Sequence, residues 1–237
     1  MEKGKARFTI RDNTVSAVAQ LSEDRYVSFL GNKEAKRRIL IVGNSITRHG
    51  PKPDIGWHGD FGMAASEMEK DYVHLLAGRI LEKEDACIMV HQLATWEMRI
   101  TEMGLAYSKE AALPLADAAH AFSPDLLIFR LGENIKSPTD GGGQSRMEMA
   151  IEDLVRHICK RETKIIFTTC FWKHDVVDEA IRAVAKRMDM PLIELGDLGE
   201  DDAYMAVGLF EHGGVAHHPG DLGMAAIAER IYKTMEK

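Results

Sequence analysis

The stretch Ile39-Leu40-Ile41-Val42-Gly43-Asn44-Ser45-Ile46-Thr47 decides the fold. Four branched apolar residues in a row, halted by a glycine, are too few for a buried helix and read as a strand covered on both faces. Four more runs of the same kind follow, at 86–90, 126–131, 165–168 and 192–195. Between them the apolar period changes from continuous to helical. Met147, Ala150, Ile151, Leu154, Val155, Ile158 and Cys159 mark one face over three turns, opened by a Ser145-x-x-Glu148 capping box. Val177, Ile181, Val184, Ala185 and Met188 make a second such stripe, and 71–83 and 222–235 are further helices. Strand and helix in alternation predict an α/β protein with a doubly wound, five-stranded parallel sheet, right-handed crossovers covering both faces, and ligands at the C-terminal ends of the strands.

Outward from this frame lie two irregular stretches. Residues 1–37 read as an N-terminal arm or small extension, with 7–10 a short strand before an Asp12-Asn13 turn; residues 38–237 are the main domain. Residues 48–66, rich in Gly, Pro, Trp and His, form a long loop and hence a binding element. Gly141-Gly142-Gly143 is a flexible turn before the capped helix.

Composition removes several classes. With 237 residues, 45% hydrophobic and 28% charged, the chain is ordinary globular protein rather than disordered or fibrous. A net charge of −7 disfavours nucleic acid and anionic membranes as partners, and the basic cluster Lys33, Lys36, Arg37, Arg38 is a solvated strand entry. Cys87, Cys159 and Cys170 have no metal-binding spacing and read as free thiols of a reducing compartment. No apolar leader follows Met1-Glu2-Lys3-Gly4-Lys5 and no run of 18 apolar residues occurs, so a cytoplasmic location without a membrane is expected. A homo-oligomer is compatible with all of this.

The chemistry gathers at strand ends. Gly43-Asn44-Ser45 delivers a hydroxyl at the sheet edge, where a following helix would present its N-terminal amides to a developing anion. Alone, such a turn is equally a structural corner. Leu131-Gly132-Glu133-Asn134 ends the third run in a carboxamide, which donates two N–H bonds without charge and suits an oxyanion as well as it suits a turn. Val215-Ala216-His217-His218-Pro219-Gly220-Asp221 holds an imidazole on a loop before the last helix. Serine, carboxamide and imidazole at one edge of one sheet are what acyl transfer needs.

These three segments, in this order, resemble the SGNH (GDSL-like) hydrolase superfamily over roughly residues 38–236. The resemblance implies a flavodoxin-like three-layer α/β/α sandwich, with Ser45 as nucleophile, Asn134 as oxyanion donor and His218 as general base. Three departures accompany it. Asn44 stands where the family more often has Asp. No glycine follows the second strand in His91-Gln92-Leu93-Ala94-Thr95-Trp96-Glu97, and Ala94 is the match for the family's backbone donor. Val215 occupies the position, three before the base, of the family's Asp. The imidazole then needs another orienter: Glu211 is the nearest upstream carboxylate, Asp201 and Asp202 are more distant, and a backbone carbonyl is equally admissible. His217 is expected to point away from the site.

Asn44, Trp57, Asp60, Trp96 and Glu97 are the candidate substrate-binding residues, because aromatic faces mixed with short polar groups suit a sugar; both tryptophans capping the core is the competing reading. The expected reaction is hydrolysis of a small ester, an acetylated carbohydrate by preference, through an acyl-enzyme. No cofactor and no metal are expected, since the ten histidines are scattered and no His-Glu-x-x-His or paired-Cys pattern occurs. The rivals are a catalytically weak or inactive binding module on the same fold, and phosphate-ester binding at the first turn, which lacks a phosphate loop's Gly-rich run and Lys.

Overall fold

In the computed structural model, which describes residues 21–103, 107–136 and 143–236, the five apolar runs are neighbouring parallel strands. The elements in chain order are β1 (Val27–Gly31), β2 (Arg37–Gly43), α1 (Tyr72–Leu81), β3 (Ala86–Gln92), α2 (Ala94–Met103), α3 (Lys109–Ala112), α4 (Asp117–Phe122), β4 (Leu126–Arg130), α5 (Gly143–Ile158), β5 (Lys164–Thr168), α6 (Asp175–Met188), β6 (Leu192–Ile193), α7 (Gly213–Ala216) and α8 (Asp221–Met235). The sheet order is β1-β3-β2-β4-β5-β6.

Alternate residues of each central strand enter opposite cores. Leu40 and Val42 of β2, with Leu127 and Phe129 of β4, pack with the apolar faces of α4, α5 and α6. Ile39 and Ile41, with Leu126 and Ile128, pack with α1 and α8. That is the three-layer sandwich, and it explains why these strands read as unbroken apolar runs: neither face meets water. Truncating one such isoleucine to alanine would cost ~2–5 kcal/mol.

Two features of the sheet depart from expectation. It has six strands and is mixed, because residues 27–31, assigned from sequence to the N-terminal extension, pair antiparallel with β3, Val27 opposite His91 and Gly31 opposite Cys87. This strand is only half-buried, with the pattern buried, three intermediate, exposed. It therefore lacks the continuous apolar run that marked the others. The expected strand at 7–10, the Asp12-Asn13 turn and Gly141-Gly142 lie outside the described residues.

Two local expectations are corrected as well. Helix α5 begins at Gly143, two residues before Ser145, so Ser145 lies within the helix and no capping box forms there. Glu148 instead accepts from Gln144, at 3.2 Å, and from Arg187. No α-helix directly follows Ser45: Thr47 and Arg48 donate to the Asn44 carbonyl, closing one turn, and after short 3-10 turns at Pro53–Ile55 and Met68–Lys70 the next α-helix, α1, starts at Tyr72. Its cap, Asp71, accepts from His74 N at 2.7 Å and from Gly62 N at 2.9 Å, tying the 48–66 loop to the helix.

Among the parallel strands, β2 has β3 on one side and β4 on the other. The winding reverses at β2, and the crevice beyond its C-terminal end is where such sheets bind ligands. Ser45 is the second residue past that end.

Candidate active site

Ser45 is placed by bonds on both sides of it. Gly43 continues β2 opposite Gln92 and Arg130, and the Ser45 carbonyl accepts from Met63 N at 2.9 Å. Gly43 admits no side chain, since a Cβ there would lie 1.7 Å from Thr47 Oγ1. Ala64, one residue past Met63, has φ of 75°, a conformation costly for a residue with a Cβ and tolerated where surrounding packing enforces it. The half-buried Ser45 hydroxyl then faces His218, with Oγ 2.9 Å from Nε2.

The imidazole is oriented from its other nitrogen. His218 Nδ1 lies 2.6 Å from the carbonyl oxygen of Gly214, four residues back in α7. A carbonyl only accepts, so Nδ1 carries the proton and Nε2 is left as the acceptor facing the hydroxyl. His217 repeats the pattern: its Nδ1 lies 2.7 Å from Gly213 O, so it is turned to the helix end and away from Ser45. Burial, assisted by His49 and Arg130, pushes the His218 pKa down to about 4, against the raising effect of the Gly214 bond. The ring is neutral and ready to accept a proton at neutral pH.

The carboxylates considered as orienters do not reach it. Glu211 is exposed and lines a surface groove with Pro53–Ile55 and Leu209; Asp201 caps its own turn at Ala203 N; Asp202 is exposed within that turn. Val215, at the position of the family's Asp, is fully buried among Trp57, Met63, Ala64 and Ala206.

Beyond the ends of β2, β3 and β4 lie Ala94 and Asn134, the residues expected to donate to an oxyanion. Leu93 N donates to the Gly43 carbonyl at 2.7 Å, setting Ala94 beside the nucleophile turn as the first residue of α2. The first amides of a helix have no partner within it. Ala94 is not among the described residues with positive φ, so a glycine is not required at this position. Asn134 is exposed and donates through Nδ2 to Glu97 Oε2 at 2.6 Å, which leaves a second N–H on the same nitrogen.

The substrate-binding candidates are placed otherwise than expected. Trp96 and Glu97 are completely buried, because α2 starts at Ala94 and turns both inward. Trp57 is buried in the satellite core, its ring 5.0 Å from Phe61 and its Nε1 bonded to His49 O. Asp60 is engaged by Arg48 through two bonds of 2.9 Å. Asn44 is fully buried: its Nδ2 donates to Glu97 Oε1 at 3.1 Å and to Glu133 Oε2 at 2.6 Å. Four of the five are buried; Asp60 alone is exposed, its carboxylate held by Arg48.

A buried charge network under the site was not legible in the sequence. Arg130, completely buried, pairs with Glu133 at 2.6 Å, and Glu133 also accepts from Phe171 N at 2.9 Å. Arg130 lies over the Tyr72 ring, whose hydroxyl is 2.6 Å from Thr47 Oγ1. Glu97 accepts from Gly132 N besides the two asparagines. Burial first, and the Glu133 carboxylate second, push the Glu97 pKa up to about 7. Asn44 accounts for its own departure from the family: an amide donates to both carboxylates, where an Asp would add a third negative charge. Gly132 is obligatory at φ of 149°, where a Cβ would also meet Cys170 Sγ at 2.6 Å. Trp172, likewise missed, edges onto the His218 ring at 5.0 Å and donates from Nε1 to His217 O. The Arg130/Glu133 pairing, i to i+3 across a strand end, was the signal available in the sequence.

Among the described residues no three His, Cys, Asp or Glu side chains converge as a metal site, and no helix is long and apolar enough to cross a membrane.

No protein-family model and no curated protein sequence matches the chain. Solved structures do. The lipase/acylhydrolase from Enterococcus faecalis superposes with a TM-score of 0.55 at 15% identity, covering 84% of this chain and 95% of that one. A GDSL-like lipase from Bacteroides ovatus gives 0.52 at 15% identity, covering 84% and 98%. A two-domain esterase active on acetylated mannans gives 0.50 at 17% identity, covering 84% of this chain and 48% of that chain. The fold is that of the SGNH (GDSL-like) hydrolases.

Proposed function

We propose that this SGNH-type fold carries a serine-dependent carboxylic ester hydrolase, with Ser45 as nucleophile and His218 as its base. The observation that carries the reading is the Ser45 Oγ to His218 Nε2 contact of 2.9 Å, made by an imidazole whose other nitrogen is fixed on a carbonyl.

The steps follow from the geometry. Nε2 takes the hydroxyl proton as Oγ bonds to the ester carbonyl carbon, and the carbonyl oxygen becomes an oxyanion. The second N–H of Asn134 and the backbone amides of Ser45 and Ala94 are its donors. The oxyanion collapses, the carbon–oxygen bond to the leaving alcohol breaks, and His218 returns the proton to that alcohol. Water, deprotonated by His218, then attacks the acyl-Ser45; as the second oxyanion collapses, the bond from the acyl carbon to Ser45 Oγ breaks, His218 returns the proton to Oγ, and the acid leaves. The imidazolium formed in each half has a backbone carbonyl rather than a carboxylate beside it, so its charge is stabilised less than in a full triad.

An acetylated carbohydrate is the proposed substrate class. It is supported by the acetylated-mannan esterase among the structural neighbours, which acts on an ester of this kind. The test is incubation with a serine-directed fluorophosphonate and mapping of the adduct by mass spectrometry, alongside turnover of an aryl acetate. An adduct on Ser45, and turnover lost in Ser45→Ala, are expected. An adduct elsewhere, or no adduct and no turnover, leaves the binding-module reading in its place.

A further inference from the structure

We propose that Glu97 is the positioning residue of the oxyanion site, holding the Asn134 carboxamide with its nitrogen, not its oxygen, toward the reacting carbonyl. The role rests on the hydrolase reading and goes beyond it, since Glu97 touches neither substrate nor Ser45.

A carboxamide has an acceptor end and a donor end of almost equal size, and only its partners decide which way it faces. An ionised carboxylate only accepts. Glu97 Oε2 at 2.6 Å therefore admits the Nδ2 end of Asn134 and excludes the Oδ1 end. Were the amide reversed, an acceptor oxygen would occupy the place of the donor and face the developing oxyanion. Asn134 is exposed, so little packing opposes the reversal, and the partner bond has to do it.

Glu97 is itself locked. It is completely buried near the start of α2, and its Oε1 accepts from Asn44 Nδ2 at 3.1 Å and from Gly132 N. One carboxylate thus joins the residue before the nucleophile, the glycine two residues past β4, and the oxyanion asparagine. The three positions are 53, 35 and 37 residues from it in sequence. Carboxylate acceptors on neutral donors make the stronger class of hydrogen bond, which suits a part that must not turn.

The role has a protonation condition. A protonated Glu97 gains a donor and accepts Asn134 in either orientation. The charged and titratable groups facing this cluster are Arg130 at the end of β4, Glu133 beyond it, Tyr72 from α1, Cys170 after β5 and His218 from the last loop. Glu133 opposes ionisation of Glu97, and Arg130 neutralises Glu133.

The experiment compares the wild type with Glu97→Gln, Asn134→Ala and the double variant for aryl acetate kcat and KM, with Ser45→Ala as the blank. Glu97→Gln keeps shape but presents an N–H2 group. The expected result is a fall in kcat on the order of 100-fold with KM within about threefold, and a double variant no slower than Asn134→Ala alone. In the wild type the Asn134 side-chain amide NMR signal should shift as Glu97 titrates, and the acid limb of kcat should follow it. That titration needs no variant to fold. A Glu97→Gln protein that retains kcat within twofold, losses that add in the double variant, or an Asn134 signal indifferent to Glu97 would overturn the positioning role while Ser45-dependent turnover stands. Wild-type protein without Ser45-dependent turnover overturns the hydrolase reading and this role together.

Discussion

The carbonyl oxygen of Gly214 lies 2.6 Å from Nδ1 of His218, in the position where a carboxylate would complete a triad. The bond belongs to the end of α7, where His217 makes the same four-residue backward contact. Val215, between them in sequence, points into a satellite core. Restoring the family's residue by Val215→Asp therefore buries an unpaired carboxylate instead of building a triad. Stability should fall by ~3 kcal/mol or more with no gain in kcat, read by denaturant unfolding and aryl acetate turnover. A faster enzyme of unchanged stability would show that the Val215 position does reach the imidazole.

Asn44→Asp should destabilise the protein by ~2–3 kcal/mol at pH 8, because three carboxylates would share a space where one amide now donates to two. Crowding raises the new carboxyl's folded-state pKa. The penalty is then small below the unfolded value near 4, where the group is protonated in both states, and grows as pH rises. Urea unfolding at pH 5 and pH 8 checks this; equal midpoints for variant and wild type at both would refute it.

Asn134→Ala removes one donor to the oxyanion. Turnover should fall by about two to three orders of magnitude, roughly 3 kcal/mol of barrier, and the melting temperature should fall as well, because the buried Glu97 Oε2 loses its Asn134 donor. Undiminished kcat would take Asn134 out of the site.

His91 gives the protein an acid limit independent of catalysis. It is buried on β3, and burial pushes its pKa down to about 4 from an ordinary 6.5. The folded state refuses a proton that the unfolded state binds, so the stabilising difference is complete above pH 6.5 and is lost as pH falls toward 4. The loss amounts to about 3 kcal/mol, and His218, lowered in the same direction, adds to it. His91→Leu should flatten the decline of unfolding free energy between pH 6.5 and 4; an unaltered slope would assign the effect elsewhere.

The parallel strands, the long helices, and Ser45, Asn134 and His218 were legible for one reason. Each stands where a strongly patterned element begins or stops. β1 was not, since VSFLG is an edge strand with half-exposed residues and no run to detect. Trp96 and Glu97 read as loop residues able to meet a sugar, yet a helix starting two residues earlier turns both inward. Glu133 and Arg130 carry full charge and would be placed outside by composition alone. They compensate each other three positions apart, a spacing equally common in exposed pairs, and the donor that completes the network, Asn44, is 89 positions from Glu133 and has no local signature. The Gly214 carbonyl has none at all, because every residue owns one.

Ser45 and His218 are 173 positions apart, and the strands β3 to β6 with their crossovers are built from the chain between them. If Ser45 and His218 act as proposed, a newly made or partly melted chain holds a serine but no base, and is chemically silent until α7 and α8 are seated. On the proposed reading turnover is a clock for completion of the fold, reporting the arrival of about the last tenth of the chain rather than the collapse of the first strands.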